Sequence, residues 1–309
     1  MVNETVFKRY KNNPIVTPSQ VPGANSIFNS AAVRYKDGYK GVFRIDEIAR
    51  GITLHLGESK DGIKWDIEPE PFKLRTAGNE TVDAIGYDPR VTLIDGTYYI
   101  TWCYYPPNSG QNHSIGLGTT TDFSSFKLTV PIMLPYNRNV CFFPRKINGK
   151  FAVLHRPSDS GHSASGDLFY ATSPDTVNWG EHRLVFSRST GAWWENGKVG
   201  AGPSPIETDE GWLIIYHGVR FTCNGYVYCA GGAILDIDEP WKVKYRSRQY
   251  LLAPAEIYEF TGDVPNVVFP TATIVDGNDI RLYYGAADTV VGLATGKMDE
   301  LISFIKKNS

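Results

Sequence analysis

A hairpin signal that recurs five times along the 309 residues is the feature that most restricts the fold of this chain. Each copy pairs two runs rich in β-branched and aromatic residues across a turn that carries Asp-Gly, Asn-Gly or Glu-Gly. Asp-Gly or Asn-Gly between two β-branched and aromatic runs is the strongest short-range signal for a hairpin. The predicted hairpins are residues 31–35 with 39–44, 90–94 with 97–102, 145–147 with 150–156, 204–208 with 212–217, and 271–275 with 280–284.

A third strand is predicted after every hairpin, at residues 53–59, 114–120, 167–172, 226–235 and 290–295. A fourth strand then leads to the next unit. Four strands repeated five times predict an all-β chain folded as a five-bladed β-propeller, a single catalytic domain over residues 1–309. A β-sandwich with a second domain is the alternative, but no linker or shift in composition marks a boundary. Only residues 298–307 have helical periodicity, which predicts a short C-terminal helix packed on the outside through Leu301, Ile302, Phe304 and Ile305.

Composition and charge exclude several classes of protein. The net charge of −2 offers no basic footprint for nucleic acid. No run approaches the ~18 apolar residues of a membrane span, and residues 1–11 are too polar for a signal peptide. The cysteines have no metal-binding spacing and are predicted to be free, buried thiols in a reducing compartment; they are Cys103, Cys141, Cys223 and Cys229. We therefore expect a cytoplasmic protein with no metal site.

The segment Gly86-Tyr87-Asp88-Pro89-Arg90 opens the second unit. Pro89 fixes its own φ and disfavours the helical region for Asp88, so the carboxylate is held at the mouth of a strand. Tyr87 and Arg90 flank it with a phenol and a fixed positive charge. A carboxylate in this setting is a candidate general acid. An Asp-Pro turn at the start of a strand is the other interpretation.

The hairpin ends away from the turns are expected to gather around the central channel of a propeller. These positions hold one isolated acid, Asp88, and a cationic set in the third and fourth units, which comprises Arg138, Arg156, Lys198 and His217. Taken singly, each Arg fits a surface salt bridge and each His a satisfied polar group. Together they would repel one another unless an anion lies among them, since unit charges about 4 Å apart interact by ~4 kcal/mol at a dielectric of 20. Phosphate suits forked guanidinium donors, although charge alone leaves sulfate or a carboxylate open.

The chain resembles glycoside hydrolase family 130, the β-mannoside phosphorylases, in motifs that run in order along nearly its whole length. The motifs are FNSAA at 28–32, GVFRID at 41–46, YDPRV at 87–91, NRN at 137–139, FPRK at 143–146, RPS at 156–158, KVGAGP at 198–203, YHG at 216–218, NGYVY at 224–228, PNVVFP at 265–270 and YYGAAD at 283–288.

The resemblance implies a role for each matching position. It makes Asp88 the general acid. It places phosphate on Arg138, Asn139, Arg156, Lys198, His217 and Tyr228, and the mannosyl unit on Asn29, Ser30, Arg44, Tyr87 and Asp288. It further implies a homo-oligomer, and a reaction that needs no cofactor because inorganic phosphate is a co-substrate.

The expected reaction is inverting phosphorolysis of a β-mannoside to α-mannose 1-phosphate. An inverting hydrolase needs a second carboxylate to activate water, whereas phosphate is already an anion. A β-mannosidase on the same fold and a non-catalytic sugar-binding propeller are the alternatives. The acceptor sugar and the linkage stay undetermined, because they depend on loops at 106–112, 160–165 and 190–196. In the last loop, Trp193-Trp194 is either a sugar platform or a plug between blades.

Overall fold

The computed structural model describes residues 6–49, 51–106, 112–158, 166–223 and 225–309. A two-residue strand, β1 (Lys8–Arg9), comes first. The first four-stranded sheet contains β2 (Ala24–Tyr35), β3 (Gly38–Glu47), β4 (Ile52–Ser59) and β5 (Asp66–Pro71). The second contains β6 (Lys73–Arg75), β7 (Thr81–Asp83), β8 (Tyr87–Ile94), β9 (Thr97–Tyr104), β10 (Ser114–Thr120) and β11 (Lys127–Met133).

The third sheet contains β12 (Asn137–Phe142), β13 (Phe151–Pro157), β14 (Leu168–Ser173) and β15 (Gly180–Phe186). The fourth contains β16 (Lys198–Ala201), β17 (Ile206–Thr208), β18 (Gly211–Thr222), β19 (Gly225–Leu235) and β20 (Val243–Arg246). The fifth contains β21 (Val268–Asp276), β22 (Asp279–Ala286), β23 (Val290–Lys297) and β1. The helices are α1 (Ile257–Phe260) and α2 (Met298–Lys307), with short 3-10 turns at Pro18–Gln20 and Arg188–Thr190.

The described strands thus form five sheets, and each sheet packs on the next through its own apolar core. One core lies between the first and second sheets, and the series continues until the fifth sheet packs on the first. Alternation along the strands makes this possible. In β18, Trp212, Ile214 and Tyr216 face the third sheet, while Leu213 and Ile215 face the fifth. A cyclic order of sheets and cores gives the all-β chain its propeller-like arrangement.

The third and fourth predicted hairpins were wrong at their first strands. The first strand of the third sheet is β12, and residues 145–147 contribute only a single bridge between Ile147 and Lys150. Pro144 follows directly after Phe143, whose N–H still pairs with Ala152, and proline has no N–H with which to continue the ladder. In the fourth sheet, β16 precedes the predicted strand and only β17 remains of residues 204–208.

The second sheet is larger than predicted, because the β6–β7 hairpin extends it to six strands. The fifth sheet is completed from the other end of the chain, by pairing of β1 with β23. Arg9 on β1 donates from Nε and Nη2 to the two carboxylate oxygens of Glu259, at 2.8 Å each. The Tyr284 hydroxyl donates to the same carboxylate at 2.8 Å, and Glu259 has no exposed surface. This Arg9–Glu259 clasp fixes the first described strand to the last sheet.

The predicted C-terminal helix is confirmed with its bounds, as α2. Its Leu301 and Ile305 are buried against the fourth and fifth sheets, with Ile302 and Phe304 packed beside them. Within the described part of the chain, no helix combines the length and apolarity that crossing a membrane requires.

Candidate active site

A cavity of about 150 Å³ opens at one end of the sheets and collects nearly every predicted site residue. Of those residues, only Ser30 is not part of its wall; the Ser30 hydroxyl instead donates to the Phe28 carbonyl at 3.3 Å. The wall comprises Asn29, Arg44, Ile52, Tyr87, Asp88, Tyr105, His113, Arg138, Asn139, Arg156, Lys198, His217, Tyr228, Phe269 and Asp288. The predicted convergence of the acid and the cations is therefore observed.

A larger groove of about 940 Å³ lies at the turn end of the first sheet. Its lysines alternate with acidic residues, and Lys40 pairs with Glu58 there. Because its charges compensate one another, this groove lacks the uncompensated cations that distinguish the smaller cavity.

Three side chains reach the cavity from equivalent bulges in consecutive sheets. The pairing register shifts in β2 at Asn29, in β8 at Asp88 and in β12 at Asn139. All three residues have positive φ, at 47°, 54° and 53°. Asn and Asp tolerate this left-handed region better than other non-glycine residues, and a bulge re-aims a side chain out of the regular alternation. The repeated bulge thus directs the carboxylate of Asp88 and the amides of Asn29 and Asn139 into the same cavity.

The Asp88 carboxylate is held by donors on both oxygens. Oδ1 accepts from Asn29 Nδ2 at 2.8 Å and from Arg44 Nη1 at 3.0 Å, while Oδ2 accepts from Asn139 Nδ2 at 3.4 Å. Arg44 is in turn fixed by Asp46, through Nε at 2.7 Å and Nη2 at 2.9 Å. These contacts leave the carboxylate only one orientation, facing the cavity.

Arg90 does not flank the carboxylate as the sequence suggested. Its side chain is 1% exposed and lies beneath the cavity, where it donates to the carbonyls of Asp88, Pro89 and Gly202. A buried guanidinium can satisfy several carbonyls at once, and the bulge at Asp88 exposes two of them. Arg90 therefore supports the backbone of the bulge, and Arg44 from the neighbouring sheet supplies the cation at the acid.

The members of the cationic set are buried and form no ion pair with any described carboxylate, although Asp88 and Asp288 lie in the same cavity. Among the described residues, no carboxylate lies within ion-pair distance of Arg138, Arg156 or Lys198. Burial, with Arg156 and Arg138 nearby, lowers the pKa of Lys198 to about 7. Burial and the charges of Arg156 and Lys198 hold the pKa of His217 well below its usual range. Arg156 Nη1 donates to His217 Nε2 at 3.1 Å, and Nε of both Arg138 and Arg156 has no partner.

Two aromatic rings face the ammonium group of Lys198, those of Tyr226 and Tyr228, each at 5.1 Å. Aromatic faces attract a cation without neutralising it. The arrangement therefore keeps donors and positive charge available for an anion at the centre.

Asp288 is a second carboxylate in the cavity, in addition to the one isolated acid that the hairpin ends indicated. Burial raises the pKa of Asp288 to about 7, with the charge of Arg44 opposing the rise and that of Asp88 adding to it. The cavity thus contains two acids in different environments, one fixed by donors and one that titrates near neutrality.

The sequence analysis did not identify Ile52, Tyr105, His113 or Phe269. His113 directly precedes β10, the third strand of its unit, whereas the predicted site residues came from the ends of the first two strands of each unit. The equivalent position before the third strand is the sequence signal that points to His113. Trp194 is a core plug at 1% exposure, whereas Trp193 is 58% exposed beneath Arg220. Residues 107–111 and 160–165 of the predicted acceptor loops lie outside the described residues.

Cys103, Cys141 and Cys229 are free and buried, as predicted, but Cys223 is exposed and so contradicts the prediction of buried thiols. It lies at the end of the long β18–β19 hairpin, beyond the apolar cores. Across the described ranges, no three His, Cys, Asp or Glu side chains are grouped as a metal site would need.

Fold and site together define a class of propeller-like proteins in which a fixed carboxylate and a group of buried cations share one cavity. The model of glycoside hydrolase family 130, described as β-1,4-mannooligosaccharide phosphorylase, matches residues 3–307, and the chain belongs to this family.

Relatives agree with that assignment. A β-1,4-mannooligosaccharide phosphorylase from Ruminococcus albus is 49% identical, over 98% of this chain and 92% of the relative. The structure of a β-1,2-mannobiose phosphorylase from Listeria innocua, in complex with β-1,2-mannobiose, superposes with a TM-score of 0.84 and 28% identity, over 97% of this chain and 99% of that one. A structure reported for family 130 hydrolases of β-1,2 mannosidic linkages has a TM-score of 0.78 at 21% identity, over 94% of this chain and 93% of that one. The fold is therefore shared by proteins named as phosphorylases and as hydrolases, so the fold alone does not decide between the two reactions.

Proposed function

We propose that this enzyme is an inverting β-mannoside phosphorylase, which cleaves a β-mannoside with inorganic phosphate and releases α-mannose 1-phosphate. The observation that carries the proposal is the group of buried cations without ion-pair partners opposite Asp88. Burying cations without partners is costly, so an anion bound at the centre would stabilise the group. An anion bound there would lie across the cavity from the acid, which is the geometry of an in-line displacement.

The contacts support a role for each residue. Arg138, Arg156 and Lys198 bind phosphate and hold it against the anomeric carbon, where proximity contributes ~7–11 kcal/mol at best. His217 is neutral and is oriented by Arg156, and Asn139 and Tyr228 complete the phosphate pocket. Asp88 supplies the proton to the leaving group. By resemblance to the family, that proton passes through the 3-hydroxyl of the mannosyl unit.

The mannosyl unit is assigned to the other half of the cavity, on Asn29, Arg44, Tyr87 and Asp288. Ser30 supports this half of the cavity indirectly. The Thr271 hydroxyl donates to the Ser30 carbonyl at 2.6 Å and fixes the bulge that carries Asn29. Direct contact of the Ser30 hydroxyl with sugar is not part of the proposal.

Hydrolysis is the competing function, and Asp288 is the observation in its favour. An inverting hydrolase pairs an acid with a carboxylate base, and this cavity holds two carboxylates. The cationic set has no role in that reaction, so we favour phosphorolysis. The first substrate to assay is a β-1,4-mannooligosaccharide, because the 49% identical relative is named for it.

The test is phosphate dependence. Purified enzyme is incubated with β-1,4- and β-1,2-linked mannobiose, with and without phosphate, and free mannose and mannose 1-phosphate are quantified. We expect mannose 1-phosphate only when phosphate is present. Free mannose at full rate in phosphate-free buffer would identify a hydrolase and overturn the proposal.

We further propose that the five sheets are five blades of one propeller and that residues 1–309 form a single catalytic domain. The unbroken cycle of sheets and cores supports both statements. Phosphate and sugar are proposed as the only small molecules required, with no metal or organic cofactor. A homo-oligomer follows from the family resemblance. The three buried free thiols, Cys103, Cys141 and Cys229, support a reducing, cytoplasmic location.

A further inference from the structure

His113 lies between the two halves of the cavity, and no role has been assigned to it. Its side chain is 5% exposed. One face of the imidazole packs on Tyr105, with ring centroids 4.5 Å apart, and its edge meets Tyr87 at 5.9 Å. The His113 carbonyl accepts from the backbone N–H of Asn137 at 3.2 Å, immediately before Arg138. The ring is therefore packed against two tyrosines, in or directly after strands of the second sheet, and the backbone of His113 is bonded to the third sheet.

Both ring nitrogens of His113 have partners in the cavity wall. Nε2 contacts Nη2 of Arg138, and Nδ1 contacts the hydroxyl of Tyr87. Arg138 belongs to the cationic half, whereas Tyr87 lies beside Asp88 in the proposed sugar half. His113 is thus a direct bridge between the two halves.

The donors and acceptors of this bridge can be assigned from chemistry alone. A guanidinium group only donates, so Nε2 of His113 must accept from Arg138 and carry no proton. A neutral imidazole then has its proton on Nδ1, which donates to the Tyr87 oxygen. The Tyr87 hydroxyl, with its acceptor side occupied, must send its own proton elsewhere. Since Tyr87 is part of the cavity wall, the open direction is toward substrate.

We propose that His113 is a positioning residue that aligns Arg138 for phosphate and turns Tyr87 into a hydrogen-bond donor for the sugar. In this chain of hydrogen bonds Arg138 donates to His113 and His113 donates to Tyr87, and each bond polarises and strengthens the next. Arg138 keeps its unpartnered Nε and remaining guanidinium donors for the anion. Because Arg138 can only donate, it fixes the tautomer of His113, and that tautomer sets the direction of the hydrogen bond to Tyr87.

Two amide substitutions separate the two functions of the ring. In His113→Gln the amide oxygen can occupy the Nε2 position and accept from Arg138, but the bond to Tyr87 is lost. In His113→Asn the amide can replace Nδ1 and donate to Tyr87, but the bond to Arg138 is lost. His55→Gln is the matched control, because His55 is also buried and bonded at both nitrogens, to Thr53 and Glu68, outside the cavity.

This inference rests on the proposed function for the sugar arm, so phosphate binding is measured first and without sugar. Calorimetry with inorganic phosphate should show about tenfold weaker binding to His113→Asn and a change under about threefold for His113→Gln. Phosphorolysis at saturating phosphate should show the opposite pattern, with kcat/KM for mannoside reduced about tenfold in His113→Gln only. His55→Gln should change neither quantity selectively.

A double-mutant cycle checks the Tyr87 arm. Tyr87→Phe should lower kcat/KM for mannoside about tenfold in the wild-type background and by much less in His113→Gln, because the donor is already misaligned there. Equal effects of Asn and Gln on phosphate binding, or additive effects in the cycle, would overturn the inference. If wild-type enzyme binds no phosphate, the proposed function itself fails. Thermal melting of each variant separates these outcomes from misfolding.

Discussion

Lys198 provides the most direct test of the anion pocket, because its charge changes near neutral pH. Burial, Arg156 and Arg138 lower its pKa to about 7 in the empty cavity. A bound anion favours the ammonium form and raises that pKa. As the pH rises above about 7, the empty site loses its proton while the occupied site keeps it. Anion affinity must therefore fall with rising pH and level off below pH 7.

The size of the effect follows from the two pKa values. An anion about 4 Å from the ammonium group interacts by ~4 kcal/mol at an effective dielectric of 20, which is roughly three pKa units. The bound-state pKa then returns to about 10. Between pH 7 and pH 9 the protonated fraction of the empty site falls from roughly one half to one hundredth, and the dissociation constant rises about fiftyfold.

Sulfate is the suitable probe, because it does not titrate in this range as phosphate does. Its dissociation constant is measured by calorimetry at pH 6, 7, 8 and 9 under constant ionic strength. Asp288 has a pKa of about 7, so it becomes negatively charged as the pH rises and would also weaken sulfate binding. The measurement therefore uses Asp288→Asn as the reference protein. His217 stays neutral throughout, because its pKa is well below the range.

Lys198→Arg in the Asp288→Asn background is the matched control. Arginine retains its charge at every pH used, so sulfate affinity should become flat. The reasoning is refuted if the Asp288→Asn protein binds sulfate equally at pH 7 and pH 9. It is also refuted if Lys198→Arg leaves the slope unchanged.

Three further outcomes are expected. Asp88→Asn should lower turnover by at least ~10²-fold while the protein stays folded; near-wild-type turnover contradicts its role as acid. Arg156→Ala removes a charge-assisted donor worth ~1.5–3 kcal/mol, so the KM for phosphate should rise about ten- to a hundredfold; an unchanged KM would exclude it from the phosphate site. Glu259→Gln leaves Arg9 without its counter-charge and should cost ~3–5 kcal/mol of unfolding free energy in denaturant titration. A loss below ~1 kcal/mol would show that the Arg9–Glu259 clasp is energetically unimportant.

The repeat could be predicted because turn chemistry is local. Asp95-Gly96 and Asn148-Gly149 have the positive φ pairs that tight hairpins require, and these residue types adopt such angles readily. The predictions failed where distant parts of the chain decide. No local signal indicates that β1 pairs with β23, or that Pro144 stops a ladder that began at Asn137.

For the site, the sequence could indicate which residues converge but not how they contact one another. Asp88 and the cations were identified because they occupy equivalent ends of repeated strands. The partner of Asp88 was misjudged, because Arg90 is adjacent in sequence whereas Arg44 approaches from the next sheet. His113 was missed, because its significance lies in two contacts across the cavity rather than in any local pattern.

Closure of the fifth sheet by β1 has a consequence for synthesis of the protein. Lys8 lies opposite Thr295, 287 residues later, so at ~5–20 residues per second the ribosome makes the partner strand roughly 15–60 s after the first. During that interval the fifth sheet does not exist, and the N-terminal strand has no edge to join. Two chains translated next to each other on one messenger RNA could exchange this strand, so that β1 of each chain completes the fifth sheet of the other. The pairing of β1 with β23 is thus the contact at which two newly made copies could exchange strands.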